Sequence, residues 1–317
     1  LEFDRQELEV GLEMIRIGLR WIAACAFISL AAPAAAQDIE PRAYSNAPIG
    51  VNFVVAGYAY TQGALQFDPA LSLTNADLRT NNAVIGYARV LDLGGSSGIF
   101  DVVVPYTFLD GTAEYEGEPV AREISGYGNP AFRLSWNFYG APAMGMKEFS
   151  TWQQDLVIGT SLRIYAPWSQ YDDTRLVNIG TNRWSFKPEL GISKTLGQWT
   201  FEGQLAATFF TDNNDFFGGN RREQDPIYSA QAHAIYGFKS GKWASFDTTY
   251  FGGGRTTFNG IDKEDLQQNW RIGATFSVPL NRRNSVKFYA SSGVSDRTGN
   301  SFDLVGIAWQ YRWGGGL

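Results

Sequence analysis

The sequence predicts a closed, antiparallel, up-and-down transmembrane β-barrel of about twelve strands. Three observations predict it. Apolar and polar residues alternate with period two in repeated stretches, short and long connections alternate between those stretches, and an export signal stands near the N-terminus.

The export signal comes first in the chain. Met14 is followed by Arg16 and Arg20, an apolar run over 21–32, and Ala34-Ala35-Ala36 before Gln37. A charged region, a short apolar core and a small-residue cleavage site make a secretory signal peptide. Residues 1–13 are then an upstream extension, Met14 is the expected start, and 1–36 are removed. Cys25, the single cysteine, lies within that segment. Ile22-Ala23-Ala24-Cys25 loosely matches a lipoprotein site, with too few apolar residues ahead of it. The exported chain therefore has no disulfide, thiol nucleophile or cysteine-ligated metal. Residues 37–50, with Pro41 and Pro48, read as a periplasmic or lumen-plugging segment, and 51–317 as the barrel.

Composition agrees with a membrane barrel. The 317 residues include 35 Gly, 15 Tyr, 10 Trp and 22 Phe, with 18% charged. Mean hydropathy is −0.21. A bundle of spanning helices would be clearly apolar, whereas only every second strand residue of a barrel meets lipid. After the signal, no apolar run approaches the roughly 20 residues a spanning helix needs. A net charge of −6 without a basic stripe argues against a nucleic-acid partner.

The clearest strand is 155–165. Leu156, Ile158, Thr160, Leu162 and Ile164 share one face, and Asp155, Gly159, Ser161 and Arg163 the other. A helical period of 3.6 would not sort them so. The same sorting places Trp184, Phe186, Leu190 and Ile192 opposite Ser185, Lys187, Glu189 and Ser193. It also places Trp270, Ile272, Ala274, Phe276 and Val278 opposite Asn269, Arg271, Thr275 and Ser277. The expected strands are 51–61, 81–91, 98–109, 130–140, 153–166, 183–194, 198–211, 227–239, 242–252, 266–280, 284–295 and 301–313. The first two alternate less cleanly and leave their facing open.

Even-numbered connections are tight at 92–97, 195–197, 240–241 and 281–283, with turn-forming Gly, Asn or Ser. Odd-numbered ones are long: 62–80, 110–129, 167–182, 212–226 and 253–265. Short periplasmic turns and long outer loops mark membrane barrels. Connection four, 141–152, is too long for this scheme, and connection eleven, near 297–300, too short.

Backbone groups left unpaired in lipid cost several kcal/mol each, so a spanning sheet must close on itself. Its inward parity then collects the polar side chains: Asp101, Arg133, Asp155, Arg163, Lys187, Glu189, Glu202, His233, Asp247, Arg271, Lys287 and Arg312. On the lipid face at mid-depth, one Arg or Lys would cost roughly 2–4 kcal/mol. These residues either set selectivity as charged rings or pair across strands and stiffen the lumen. Their mixed signs imply no strong ion filter. Trp199, Trp243 and Trp313 fall at expected periplasmic ends. Trp184, Trp270, Tyr250, Tyr106 and Phe108 fall at outer ends, as two interfacial girdles require.

Several blocks resemble a known family. They are 42–48 (RAYSNAP) with Gly50-Val51-Asn52, Gly128-Asn129-Pro130, 180–189 (GTNRWSFKPE), 222–226 (REQDP), 265–269 (DLQQN) and Arg282-Arg283-Asn284-Ser285. Together, over about residues 41–317, they resemble the transporter-like family of the MetA pathway of phenol degradation. Members often carry Asp where this chain has Asn129. The resemblance implies an outer-membrane barrel associated with catabolism of aromatic compounds, and brings no catalytic residues with it.

Other sites are weighed on chemistry. His233, the single histidine, could act as base to Ser229 or Ser245, although nothing in sequence orders a third partner. One histidine rules out a multi-histidine metal site. Asp212-Asn213-Asn214-Asp215 lacks EF-hand spacing, so neither metal nor cofactor is expected. Arg221 and Arg222 could meet lipopolysaccharide phosphates or simply be solvated. The expected function is a passive channel for small, apolar or aromatic solutes. Its rival is a closed barrel whose loops 62–80, 110–129 and 212–226 bind at the surface; a lipid-modifying enzyme ranks third. Expected partners are outer-membrane lipids and lipopolysaccharide, a small-molecule solute, and the outer-membrane insertion machinery during biogenesis.

Overall fold

A computed structural model describes residues 39–63, 73–115, 117–295, 297 and 302–317. The export signal and the proposed cleavage site lie outside the described residues.

Twelve antiparallel walls close into one ring. They are β1 (Val51–Gly63), β2 (Leu73–Leu93), β3 (Ser96–Tyr115), a fourth wall in two pieces, β4 (Glu118–Tyr127) and β5 (Ala131–Tyr139), then β6 (Leu156–Tyr165), β7 (Ser185–Leu196) and β8 (Trp199–Phe210). After an excursion come β11 (Ile227–Gly237), β12 (Trp243–Gly253), β15 (Gln267–Pro279), β16 (Asn284–Ser295) and β17 (Phe302–Gly314). The first and last strands close the ring, from Val51 opposite Gly314 to Gly63 opposite Phe302. No sheet edge is then left facing lipid. No helix among the described residues is long and apolar enough to cross a membrane.

The fourth wall breaks at Gly128-Asn129-Pro130, where Pro130 has no N–H to give the ladder. Its outer piece, β4, pairs with β3 from Tyr106–Tyr127 to Tyr115–Glu118. Its inner piece, β5, pairs lower on the same strand, from Gly98–Trp136 to Val103–Ala131. The expected loops 62–80 and 110–129 are therefore shorter than alternation alone implied, because β2, β3 and β4 continue as ladder beyond the apolar belt. The loops after β8 and β12 are also folded. They contribute β9 (Asn213–Phe216), β10 (Asn220–Gln224), β13 (Thr256–Phe258) and β14 (Ile261–Asp262) to a separate four-stranded sheet at the outer end.

At the other end the connections are short. Leu93 and Ser96 are joined through Gly94 (φ 68°) and Gly95 (φ 87°), left-handed values suited to a two-residue hairpin turn. The long connection four holds a single helical turn, α1 (Met146–Phe149), and packs below β1. Its Met144 carbonyl accepts from Ile49 N–H at 2.9 Å.

The outside of the barrel is apolar. Leu190, Ile192, Leu205, Phe246, Ile272 and Phe276 are exposed, each flanked in sequence by a buried polar residue. β1 and β2 alternate poorly because both their faces are apolar. Inside, Val51, Phe53, Val55, Val84 and Ala88 pack on Ala47, Met146 and Phe149, which form an apolar floor to the lumen. Outside, Tyr58 and Ile85 are exposed.

Candidate functional site: the lumen and the segment inside it

Residues 39–48 run up the lumen from the start of β1. Asn46 bonds the Pro142 carbonyl at 3.1 Å near the short-turn end. Tyr44 donates its hydroxyl to Glu189 of β7 at 2.7 Å. Its ring occupies space that side chains would take at Gly159 and Gly191, register partners on β6 and β7; a Cβ on Gly191 would lie 1.9 Å from the ring. Burial pushes the Tyr44 hydroxyl well above its ordinary pKa, and the Glu189 carboxylate pushes the same way. Higher up, the Arg42 N–H bonds Glu202 of β8, and its guanidinium lies 5.4 Å from the Trp243 ring centroid on β12. Glu40 lies near the top of the described segment, next to its first residue, Ile39. Its N–H meets Gln231 of β11 at 3.3 Å, and its carbonyl accepts from Gln204 of β8 at 3.1 Å.

The Glu40 carboxylate bridges Arg133 of β5 and Arg163 of β6. Register explains why it is needed. Asp101, Arg133, Arg163 and Lys187 stand side by side on adjacent strands. Arg133 gives its Nε–H to Asp101 at 2.7 Å, and Lys187 lies 3.7 Å from Glu189. Three neighbouring cations with two wall acids leave a deficit of negative charge that Glu40 fills. Sequence reading passed over Glu40 and Tyr44; three cations in one register row is the signal that could have found Glu40.

His233 lies between two acids. It is the register partner of both Glu202 and Asp247. Its Nδ1 is 2.8 Å from Asp247 Oδ1. Ser245 gives its hydroxyl to Asp247 at 2.9 Å instead of to the imidazole. Among the described residues no hydrogen bond joins His233 to Ser229, and none is made by His233 Nε2. The Ser–His pairing considered from sequence does not form.

Of the other wall candidates, Arg271 is buried on β15 and Asp247 on β12. Lys287 is half-buried, with its ammonium 5.4 Å from the Tyr289 ring centroid. Arg312 is half-buried at the short-turn end, where its Nε donates to the Arg282 carbonyl at 2.7 Å. Two candidates need correction. Asp155 precedes β6, its side chain is 77% exposed, and it pairs with Lys194 at the rim, so it does not line the lumen. Trp243 is 1% exposed and faces inward, packed with Ile235. It shares parity with Asp247, and period two carries both to the same side. The other four tryptophans expected at the interfaces lie outside: Trp199 and Trp313 at the short-turn end, Trp184 and Trp270 at the long-loop end. Trp199 pairs with Tyr236, and Trp270 with half-buried Tyr250, each at 5.0 Å between centroids.

The outer mouth gathers the distinctive sequence blocks. Asn129 gives its amide to Thr181 at 2.8 Å and accepts from Ser169 at 2.5 Å. Asn182 bonds Asn213, whose amide reaches Tyr171 at 2.9 Å. Arg183 donates to Gln224, which holds the Gly254 carbonyl at 2.8 Å, and Asp265 accepts from Thr256. At the loop tips, Arg221 pairs with Asp212 and Glu223, and both acids raise its pKa. Arg222 is buried over Phe216. Among the described residues no group of three or more His, Cys, Asp or Glu is placed to hold a metal.

A closed twelve-stranded ring, apolar outside and polar within, defines a β-barrel of the bacterial outer membrane. The chain belongs to the family described as "Putative MetA-pathway of phenol degradation", whose model matches residues 69–311. The COG4313 outer membrane channel from Pseudomonas putida F1 has the same fold, with a TM-score of 0.72 at 17% identity over 86% of this chain and 99% of that one. The β domain of the Bordetella autotransporter BrkA superposes with a TM-score of 0.49 at 11% identity, over 83% and 99% of the two chains. No curated protein sequence matches this chain.

Proposed function

We propose that this protein is a passive outer-membrane channel for small, apolar or aromatic solutes, with residues 39–48 restricting its periplasmic half. One observation carries this reading. The N-terminal segment stands in the lumen, and along the wall, from Gln204, Gln231 and His233 beside it to Thr249, Asn269 and Arg271 above it, buried polar atoms lack a hydrogen-bond partner among the described residues. Such groups normally bond water or a ligand. Lipid contacts the apolar belt, and lipopolysaccharide phosphates would meet Arg221 only in competition with Asp212 and Glu223. Solutes would move down a gradient maintained by transport or catabolism further in.

The rival closed barrel also has support in the Glu40 clamp, which ties the segment to two strands. Single-channel recording in planar bilayers separates the two. A small conductance is expected for the exported chain. Glu40→Gln should raise it, since breaking a buried ion pair from one side costs about 3–5 kcal/mol and leaves Arg133 and Arg163 facing each other. Silence of both proteins, each shown to be folded by heat-modifiable gel mobility, would leave the closed barrel standing. Slowed growth of a deletion strain on aromatic carbon sources at low concentration would support the solute class.

A further inference from the structure

The upper inner wall is unevenly satisfied. On β1 to β3 the inward polar residues bond one another. Asn82 donates to Thr80 at 2.7 Å and accepts from Thr107 at 2.7 Å, and Thr61 bonds Thr80. On β12 and β15 such bonds form deeper in the wall, where Ser245 and Thr275 donate to Asp247, but above them Thr249, Asn269 and Arg271 each keep a polar atom open. Arg271 is 1% exposed. Its Nη2 donates to Ser291 at 2.9 Å, and its guanidinium lies 3.7 Å from the Phe302 ring centroid. Its Nη1 has no hydrogen-bond partner. Among the described residues no carboxylate pairs with it, whereas the deeper cations Arg133, Arg163 and Lys187 each have an acid. Asp303 acts on Arg271 only through space: it stands at an outward-facing position and accepts its hydrogen bond from Ser292. Thr249, the register partner of Arg271, and Asn269, two residues along the same face, leave Oγ1 and Nδ2 unbonded. A buried guanidinium is ordinarily paired, and the groups left open here are a cation, an amide donor and a hydroxyl. Their shared complement is an anionic acceptor.

We propose that Arg271 and Phe302 form a binding site in the outer half of the lumen for an aromatic solute bearing a carboxylate. A guanidinium matches a carboxylate in charge and in planar geometry. Phe302, with Leu78 and Leu304, supplies an apolar shelf for the ring. A neutral analogue of the same shape would bury the ring and leave Nη1 open. The site deepens the channel reading and rests on it, since solute must enter the lumen.

The exported chain, refolded in detergent, can be titrated by calorimetry with benzoate and with benzyl alcohol as the neutral control. Saturable benzoate binding is expected, with benzyl alcohol about tenfold or more weaker, the scale of one charge-assisted hydrogen bond. Arg271→Gln should remove that preference. Arg271→Lys keeps the charge, loses the planar fork, and should fall between. Equal affinity for the two compounds in the unaltered protein would overturn the proposal without any variant having to fold. So would benzoate affinity unchanged in a folded Arg271→Gln, or displacement of benzoate by equimolar inorganic phosphate, which would make the site a general anion site. Conductance is recorded separately. Arg271-dependent binding in a barrel that never conducts keeps the site and removes the channel, and conduction without benzoate binding does the reverse.

Discussion

Gly191 shows how one hydrogen atom in place of a side chain decides what fills the lumen. The Tyr44 ring fits only because its two nearest wall positions, Gly159 and Gly191, lack a Cβ. Gly191→Ala puts a methyl group 1.9 Å from that ring. The backbone there is an ordinary strand in which alanine is tolerated, so the cost falls on Tyr44. We expect the barrel to fold, Tyr44 to lose its bond to Glu189, and conductance to rise. Bilayer recording beside the unaltered protein checks this. An unchanged conductance with Tyr44 still protected from iodination would mean that the ring does not restrict the pore. Trp243 makes a related point: its type suggests the headgroup level, but its register with Asp247 turns it inward.

At the scale of elements, each strand divides its residues between two solvents. Leu205 on β8 is 63% exposed between buried Gln204 and half-buried Ala206. Leu205→Arg should destabilise the barrel by about 2–4 kcal/mol, as expected for a cation at mid-bilayer depth. Urea unfolding from lipid vesicles would read this. A change below about 0.5 kcal/mol, the usual limit for surface substitutions, would mean that this face does not meet hydrocarbon. The connections obey a different chemistry. Asn129 fills the break between β4 and β5 and ties it to Thr181 and Ser169 of the next outer loop. Asn129→Ala removes both bonds, and loop 166–184 should then be cut faster by external protease while heat-modifiable mobility is retained. Asn129→Asp keeps the acceptor toward Ser169 and loses only the donor toward Thr181, so it should be cut at an intermediate rate.

For the whole molecule, the ring of strands and its contents do separate work. The ring is held by ladders that leave no edge, while the lumen is divided by height. Its lower half is a packed interior, with an apolar floor on β1 and β2 and the Glu40 clamp across β5 and β6. Its upper half keeps open groups at Thr249, Asn269 and Arg271, and the sheet of short strands β9, β10, β13 and β14 lies at the outer end. On the channel reading proposed above, selectivity would lie above the segment and restriction within it. Glu40→Gln and the benzoate titration probe the two halves independently.

The amino-acid order alone determined the parity of every strand after the first two and, connection four apart, the side on which the long connections lie. Those follow from period two and from the cost of charge in hydrocarbon, both local properties of the chain. Arg163, Lys187 and Arg271 could be assigned inward on that ground alone. Only the tertiary structure decided that residues 39–48 stand inside the lumen, because their partners lie on six strands distant in the chain. It also decided that β1 and β2 have two apolar faces, since one of them meets protein where lipid was the expected neighbour. Which charges are paired and which stay open depends on register across the ring, and no window of sequence contains that information.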